Sequence, residues 1–179
     1  MSIVSTEVPA PPRPAPSYTI REARDDDSWD LIALVAACWA QYPGCVLEVH
    51  TENPDLLAPA TYFAERGGRL WVAEANGHVL GCMGVYPSQD IEGWARGRRL
   101  YVAPRLRGVG LGRRFLRLVE DEARRLGVSH VELWSDTRLL HSHRLYESYG
   151  FVRREQRTLD DVSRSSEYHF VMALGPGPR

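Results

Sequence analysis

The chain predicts a mixed α/β fold, a twisted sheet with helices on both faces, and three observations carry that prediction. Apolar residues change period along the 179 residues, alternating in some segments and recurring at three and four residues in others. Asn76-Gly77 sits between two apolar runs, the pattern of a tight antiparallel hairpin. Strand-like Leu100-Tyr101-Val102-Ala103 leads through the turn Arg107-Gly108-Val109-Gly110-Leu111-Gly112 into an amphipathic helix. Strand and helix patterns that interleave in this way belong to one layered α/β domain.

The elements follow in order. Residues 1–17 carry Pro9, Pro11, Pro12, Pro14 and Pro16 with little to bury, and read as a flexible extension. Residues 18–174 form the single domain. Tyr18 to Arg24 alternates like a first strand, and Asp25-Asp26-Asp27 offers N-caps for a helix over 28–40. A loop holding Pro43 and Gly44 spans 41–54, and a second helical pattern over 56–65 stops at Gly67-Gly68. The hairpin pairs 69–75 with 78–86. A strand over 95–102 precedes the glycine turn, and the helix over 112–126 sets Phe115, Leu118, Val119, Glu122/Ala123 and Leu126 on one face. Strand 128–135, a short helix 140–149 closed by Gly150, and strands 151–158 and 167–174 complete the domain; residues 175–179 read as a flexible tail.

Composition excludes several classes. A net charge of −1 gives no global attraction to nucleic acid or to an anionic membrane. The three cysteines, Cys38, Cys45 and Cys82, are odd in number and lack C-x-x-C spacing, so no disulfide framework and no zinc site is expected, and a cytoplasmic setting fits. No apolar run approaches a membrane span. His141-x-His143 does not place both rings on one helix face, so no metal pair is expected there. His169 reads as packed in the sheet, and Trp39, Trp71, Trp94 and Trp134 as core or pocket wall.

The glycine turn carries the chemistry. Three glycines in five residues let successive N–H groups point inward, and the helix that follows adds its positive end, so a phosphate-bearing cofactor is expected. A P-loop needs lysine at the helix start, and this chain has no lysine. The dinucleotide fingerprint fails at Arg113, where its third glycine belongs. The turn instead resembles the Q/R-x-x-G-x-G/A signature of the GNAT superfamily of acyl-CoA-dependent N-acyltransferases, with Arg107, Gly110 and Gly112 at its defining positions. Two flanking segments strengthen the resemblance. Tyr101-Val102-Ala103-Pro104 looks like the family's V-x-P strand end, and Arg144-Leu145-Tyr146-Glu147-Ser148-Tyr149-Gly150-Phe151 is similar to its L-Y-x-x-x-G-F segment.

The resemblance implies a six- or seven-stranded mixed sheet, splayed between its fourth and fifth strands, with acetyl-CoA in the gap. It places coenzyme A against Leu100, Tyr101 and Val102 and against Arg107, Gly108, Val109, Gly110, Leu111, Gly112 and Arg113. A backbone N–H around Val102 would receive the oxyanion, and Tyr146 would be the general acid for the departing thiolate. Arg105, Arg107 and Arg113 could meet phosphates. A base often comes from a glutamate on the fourth strand; that strand has no carboxylate here, and Glu92 just before it is the nearest candidate. Many members carry asparagine at the position of Leu139 and a small residue at that of Ser142. The expected activity is N-acetyl transfer to a primary amine of a small molecule or peptide, by a monomer or homodimer. The missing strand carboxylate keeps a catalytically silent acyl-CoA-binding module as the alternative. Glu48, Glu52, Asp55 and the Asp160-Asp161 pair lie in loops that could frame the acceptor mouth and favour a cation.

Overall fold

A computed structural model describes residues 17–175. Most of the expected 1–17 extension and 175–179 tail therefore lies outside the described residues. Seven strands form one sheet in the order β1-β2-β3-β4-β5-β7-β6. These are β1 (Thr19–Glu22), β2 (Arg69–Ala75), β3 (His78–Pro87), β4 (Trp94–Val102), β5 (His130–Asp136), β6 (Val152–Thr158) and β7 (Ser166–Ala173). The α-helices are α1 (Ser28–Trp39), α2 (Pro59–Glu65), α3 (Leu111–Arg125) and α4 (Leu140–Tyr149).

Local chemistry explains the best-defined joints. Asn76 and Gly77 take φ of 53° and 77°, the paired left-handed conformation that a two-residue hairpin requires. The aspartate run behaves differently from a simple N-cap. Asp25-Asp26-Asp27 forms a short 3₁₀ turn, in which Asp27 is forked by Arg21 while Asp25 accepts the Thr61 N–H and hydroxyl at the start of α2. One carboxylate thus joins two helices that are far apart in sequence.

Helices cover both faces. Phe115, Leu116, Val119 and Ala123 of α3 join Met83, Ala95, Val131, Leu133 and Phe170 in one core. Leu31, Val35 and Cys38 of α1 and Phe63 of α2 join Val72, Cys82 and Tyr86 in the other. Leu116 replaces the expected Leu118 on the buried face of α3, where Leu118 is only half-buried.

The junction of β4 and β5 sets up the site. They are joined through α3 and run parallel, but they pair only over Trp94–Gly97 with His130–Leu133. Beyond Gly97, β4 carries a bulge: Cys82 and Gly84 face Tyr101 and Arg98, so β4 has one residue more than β3 across this interval. Arg99 sits in it at φ 69°, a left-handed backbone that arginine rarely adopts. The bulge bends β4 away from β5 and opens the sheet.

Candidate functional site

Two clefts meet where the sheet opens. One, of about 470 Å³, lies between the C-terminal end of β4, the turn before α3, and α4. The other, of about 350 Å³, lies between β4, β5 and the loops around residues 45–53 and 159–165. Leu100, Tyr101 and Leu139 line both.

The larger cleft is built from backbone and from positive charge. Gly110 is the residue before α3, with φ 84°, and no side chain caps the helix. The first-turn N–H groups of this 15-residue helix are thus left without a side-chain acceptor. Gly112 answers a second demand: a Cβ there would lie 2.7 Å from Leu145 Cδ2, so its absence lets α3 and α4 approach. Arg107, Arg113, His141 and Arg144 line this cleft, and among the described residues no carboxylate does. Such a floor suits a phosphate-bearing ligand.

The β4 edge contributes a directed N–H. Ala103 N–H donates to the Leu80 carbonyl at 2.8 Å, and the alternation of an antiparallel ladder then turns the amide groups of Val102 away from β3, toward the opening. The Val102 carbonyl accepts from Arg107 Nε at 3.1 Å and from Cys38 Sγ at 3.7 Å. Arg107 also donates to Gln41 Oε1 at 2.8 Å. It therefore ties the strand end to the end of α1, so its guanidinium is only partly available to a ligand.

Of the expected cofactor residues, Leu100, Tyr101, Val102, Arg107, Gly108, Gly110, Leu111, Gly112 and Arg113 come together in this cleft. Val109 does not: its side chain points to solvent from the turn. Arg105 is exposed and outside the cleft, whereas Arg113 lines it and donates to Ser148 Oγ at 3.0 Å. His141 lines the cleft too, while His143 is buried beside Ser135, with its Nδ1 lacking a hydrogen-bond partner; the two rings face different environments.

Tyr146 is buried and lines the smaller cleft, close to Tyr101. Burial raises its phenol pKa well above the usual tyrosine range, with the Ser135 and Ser142 hydroxyls beside it. It holds its proton across the physiological range. Glu92, the base candidate nearest β4 in sequence, stands apart from both clefts. It is exposed in the turn before β4, at the paired end of the strand, and it lines neither cleft. The four paired residues from Trp94 to Gly97 separate it from the point where β4 parts from β5, and at ~3.3 Å per residue the strand holds it more than ~10 Å away.

The smaller cleft is polar and crowded with ion pairs. Asp136 forks with Arg138, at 2.8 Å and 2.5 Å, and Arg157 pairs with Glu167 at 2.7 Å while lying 3.9 Å over the Trp134 ring. Trp39 Nε1 donates to the Tyr101 hydroxyl at 2.9 Å. Beneath the wall, Arg99 forks onto buried Asp55 at 2.7 Å and 2.5 Å and donates to Asn53 at 2.9 Å. That pairing draws the Asp55 carboxyl below its usual range against the opposing effect of burial.

The loop acids do not act as a free anionic rim. Glu48 accepts the backbone N–H groups of His50, Thr51 and Glu52, and Asp55 is the Arg99 counter-charge. Glu52 accepts Val162 N–H at 2.8 Å and Asp161 accepts Ser165 N–H at 2.7 Å; both line the cleft, and Asp160 does not. Ser163 reaches across to Val46, joining the two loops over the opening. Sequence reasoning also missed Glu132, buried on β5 between Arg96, Ser88 and His169, with His169 Nε2 at 2.9 Å. Arg98-Arg99, which breaks the alternation of the β4 segment, was the one local sign of the bulge.

Residues 31–151 match the model of the acetyltransferase (GNAT) family. The chain is 29% identical over 142 residues to N-acetyltransferase 8 of Rattus norvegicus, covering 76% of this chain and 62% of that protein. It is 32% identical over 127 residues to N-acetylaspartate synthetase of Danio rerio, covering 69% and 43%. The chain thus spans less than two thirds of the length of both relatives. An acetyltransferase of the GNAT family from Staphylococcus aureus superposes with a TM-score of 0.76 at 16% identity, over 89% of this chain and all of that one. The Salmonella typhimurium protein yncA, solved with its cofactor acetyl-CoA, superposes at 0.70 and 22% identity over 91% and 97%. At these identities the superpositions establish a common fold.

Proposed function

The chain belongs to the GNAT acetyltransferase family, and from that premise we propose that it is an N-acetyltransferase that moves an acetyl group from acetyl-CoA directly to a primary amine. The observation that carries the reading is the meeting of two chemically different clefts at one break in the sheet. One is a cationic, glycine-floored cleft without a carboxylate, and the other is a polar cleft that Tyr146 lines.

The residues fit coenzyme A. The open α3 N-terminus, the αL backbone at Gly110 and the close approach at Gly112 suit a pyrophosphate, and Arg113 and Arg144 suit anionic oxygens. Acetyl-CoA, when bound, supplies an acetyl thioester. The Val102 N–H, turned into the opening, would be the donor for the thioester oxygen. Tyr146, which burial keeps protonated, would supply the proton for the thiolate that acetyl-CoA releases. An acceptor ammonium must first lose a proton. Of the four carboxylates lining the smaller cleft, Asp136 and Glu167 are neutralised by Arg138 and Arg157, which leaves Glu52 and Asp161 as the groups placed to take it. The three free thiols suit a reducing cytoplasm.

Thermal denaturation with acetyl-CoA, coenzyme A or NADH in large excess tests the reading. A ligand at a hundred times its Kd stabilises by about 2.7 kcal/mol. The expected result is stabilisation by both coenzyme A species and none by NADH, followed by thiol release with at least one amine. Stabilisation by NADH alone, or by none of the three, would overturn it.

A further inference from the structure

The smaller cleft contains an arginine without a counter-charge of its own. Five arginines line it. Arg96 is held by Glu132 at 2.9 Å and Asp90 at 2.6 Å. Arg99 forks onto Asp55, Arg138 onto Asp136, and Arg157 onto Glu167. Arg98 makes one contact, a 3.3 Å donation to Asp55 Oδ1, an oxygen that Arg99 already holds at 2.5 Å. The rest of its N–H donors meet no protein acceptor among the described residues. Arg98, Arg99 and Asp55 together carry one uncompensated positive charge, and Asp55 and Arg99 are buried while the Arg98 side chain is 34% exposed on the cleft wall.

Backbone geometry keeps it there. The bulge at Arg99 places the two consecutive arginines in different settings, Arg99 inward onto Asp55 and Asn53, Arg98 along the cleft. Its fork is planar and suited to bidentate contact with a carboxylate.

We propose that Arg98 is a specificity-determining residue that binds an anionic group of the acceptor, so that the substrates are amines that also carry a carboxylate. This rests on the assignment of the smaller cleft to the acceptor. The inference adds an anion contact to the cation preference that the loop acids suggest in sequence: Glu52 and Asp161 line the same cleft without an arginine partner among the described residues and suit the amine, while Arg98 suits the anionic group. A charge-assisted pair of this kind contributes roughly ten- to hundredfold in affinity.

The test pairs each of several amino acids with its own carboxamide, and pairs glutarate with glutaramide as unreactive probes of binding, using the full chain saturated with acetyl-CoA or coenzyme A. The expected result is a kcat/KM ratio of at least tenfold in favour of the carboxylates and a melting shift with glutarate only. Arg98→Gln abolishes both preferences and Arg98→Lys keeps part of them, each variant retaining the coenzyme A-induced melting shift as proof of folding. Equal use of acids and amides together with equal glutarate and glutaramide shifts would overturn the inference while leaving the acetyltransferase reading in place. If no amine is turned over, the glutarate shift and its loss in Arg98→Gln decide the inference alone. Absence of any coenzyme A shift overturns the parent reading instead.

Discussion

The two clefts that meet at the sheet opening are built on opposite plans. The larger cleft takes its shape from contiguous chain: the β4 end, a glycine turn and one helix N-terminus, within residues 100–113, with α4 as the far wall. Its electrostatics come from backbone N–H groups and unopposed arginines. The smaller cleft is assembled from five separate segments, around residues 39–53, 83, 96–101, 133–146 and 157–167. Arg96, Arg99, Arg138 and Arg157 are each paired with a carboxylate, whereas among the described residues Arg98, Glu52 and Asp161 have no opposite charge of their own, so recognition depends on these three. A backbone-built site is rigid and general, and a side-chain-built site can be retuned one residue at a time.

Separating the two clefts functionally gives the largest expected effect. Tyr146→Phe removes a proton donor and leaves the glycine turn untouched, so kcat should fall roughly a hundred- to ten-thousandfold with the acetyl-CoA melting shift preserved. A loss of cofactor binding in step with turnover would show that the clefts are not independent.

Breaking the ion pairing behind the smaller cleft comes next. Asp55→Asn leaves the Arg99 guanidinium buried without a counter-charge, and stability should fall by about 3–5 kcal/mol. The same carboxylate predicts a pH dependence. The folded-state pKa of Asp55 lies below its ordinary value near 3.8, so its stabilisation is fully present above that value and is lost as pH falls below it. Asp136, held by Arg138, has the same sign. Chemical denaturation between pH 6 and pH 2 should show this loss, and Asp55→Asn should flatten it. An acid limb unchanged by the substitution would place the acid sensitivity elsewhere.

The larger cleft should respond least in stability and most in ligand binding. Gly110→Val forces a β-branched residue to φ 84°, at a cost of roughly 1–2 kcal/mol, and distorts the turn. The melting shift with acetyl-CoA should drop to less than half while residual structure by circular dichroism is kept. A full shift in this variant would mean that the turn does not hold the phosphates.

Legibility follows the same division. The hairpin at Asn76-Gly77, the helix after the glycine turn and the Tyr146 segment were all readable, because each is a demand of local backbone or of a short apolar period. Where reading failed, the partner lay far along the chain. Glu92 was the nearest carboxylate to β4 in sequence, yet the direction of the strand carries it away from the opening. Asp55 looked like a loop acid and is a buried counter-charge for Arg99, 44 residues on. Glu132 and His169 are 37 residues apart and meet only because β5 and β7 are neighbours in the sheet.

The amino-acid sequence by itself determined the mixed α/β order, the glycine turn before α3 and the tyrosine in its segment. These rest on backbone conformations and periodicities that residues impose on their immediate neighbours. Only the tertiary structure decided where β4 parts from β5, which acids are neutralised and which arginine is left free. Charge compensation is a property of side chains brought together by folding, and the spacing of charges along the chain does not reveal it.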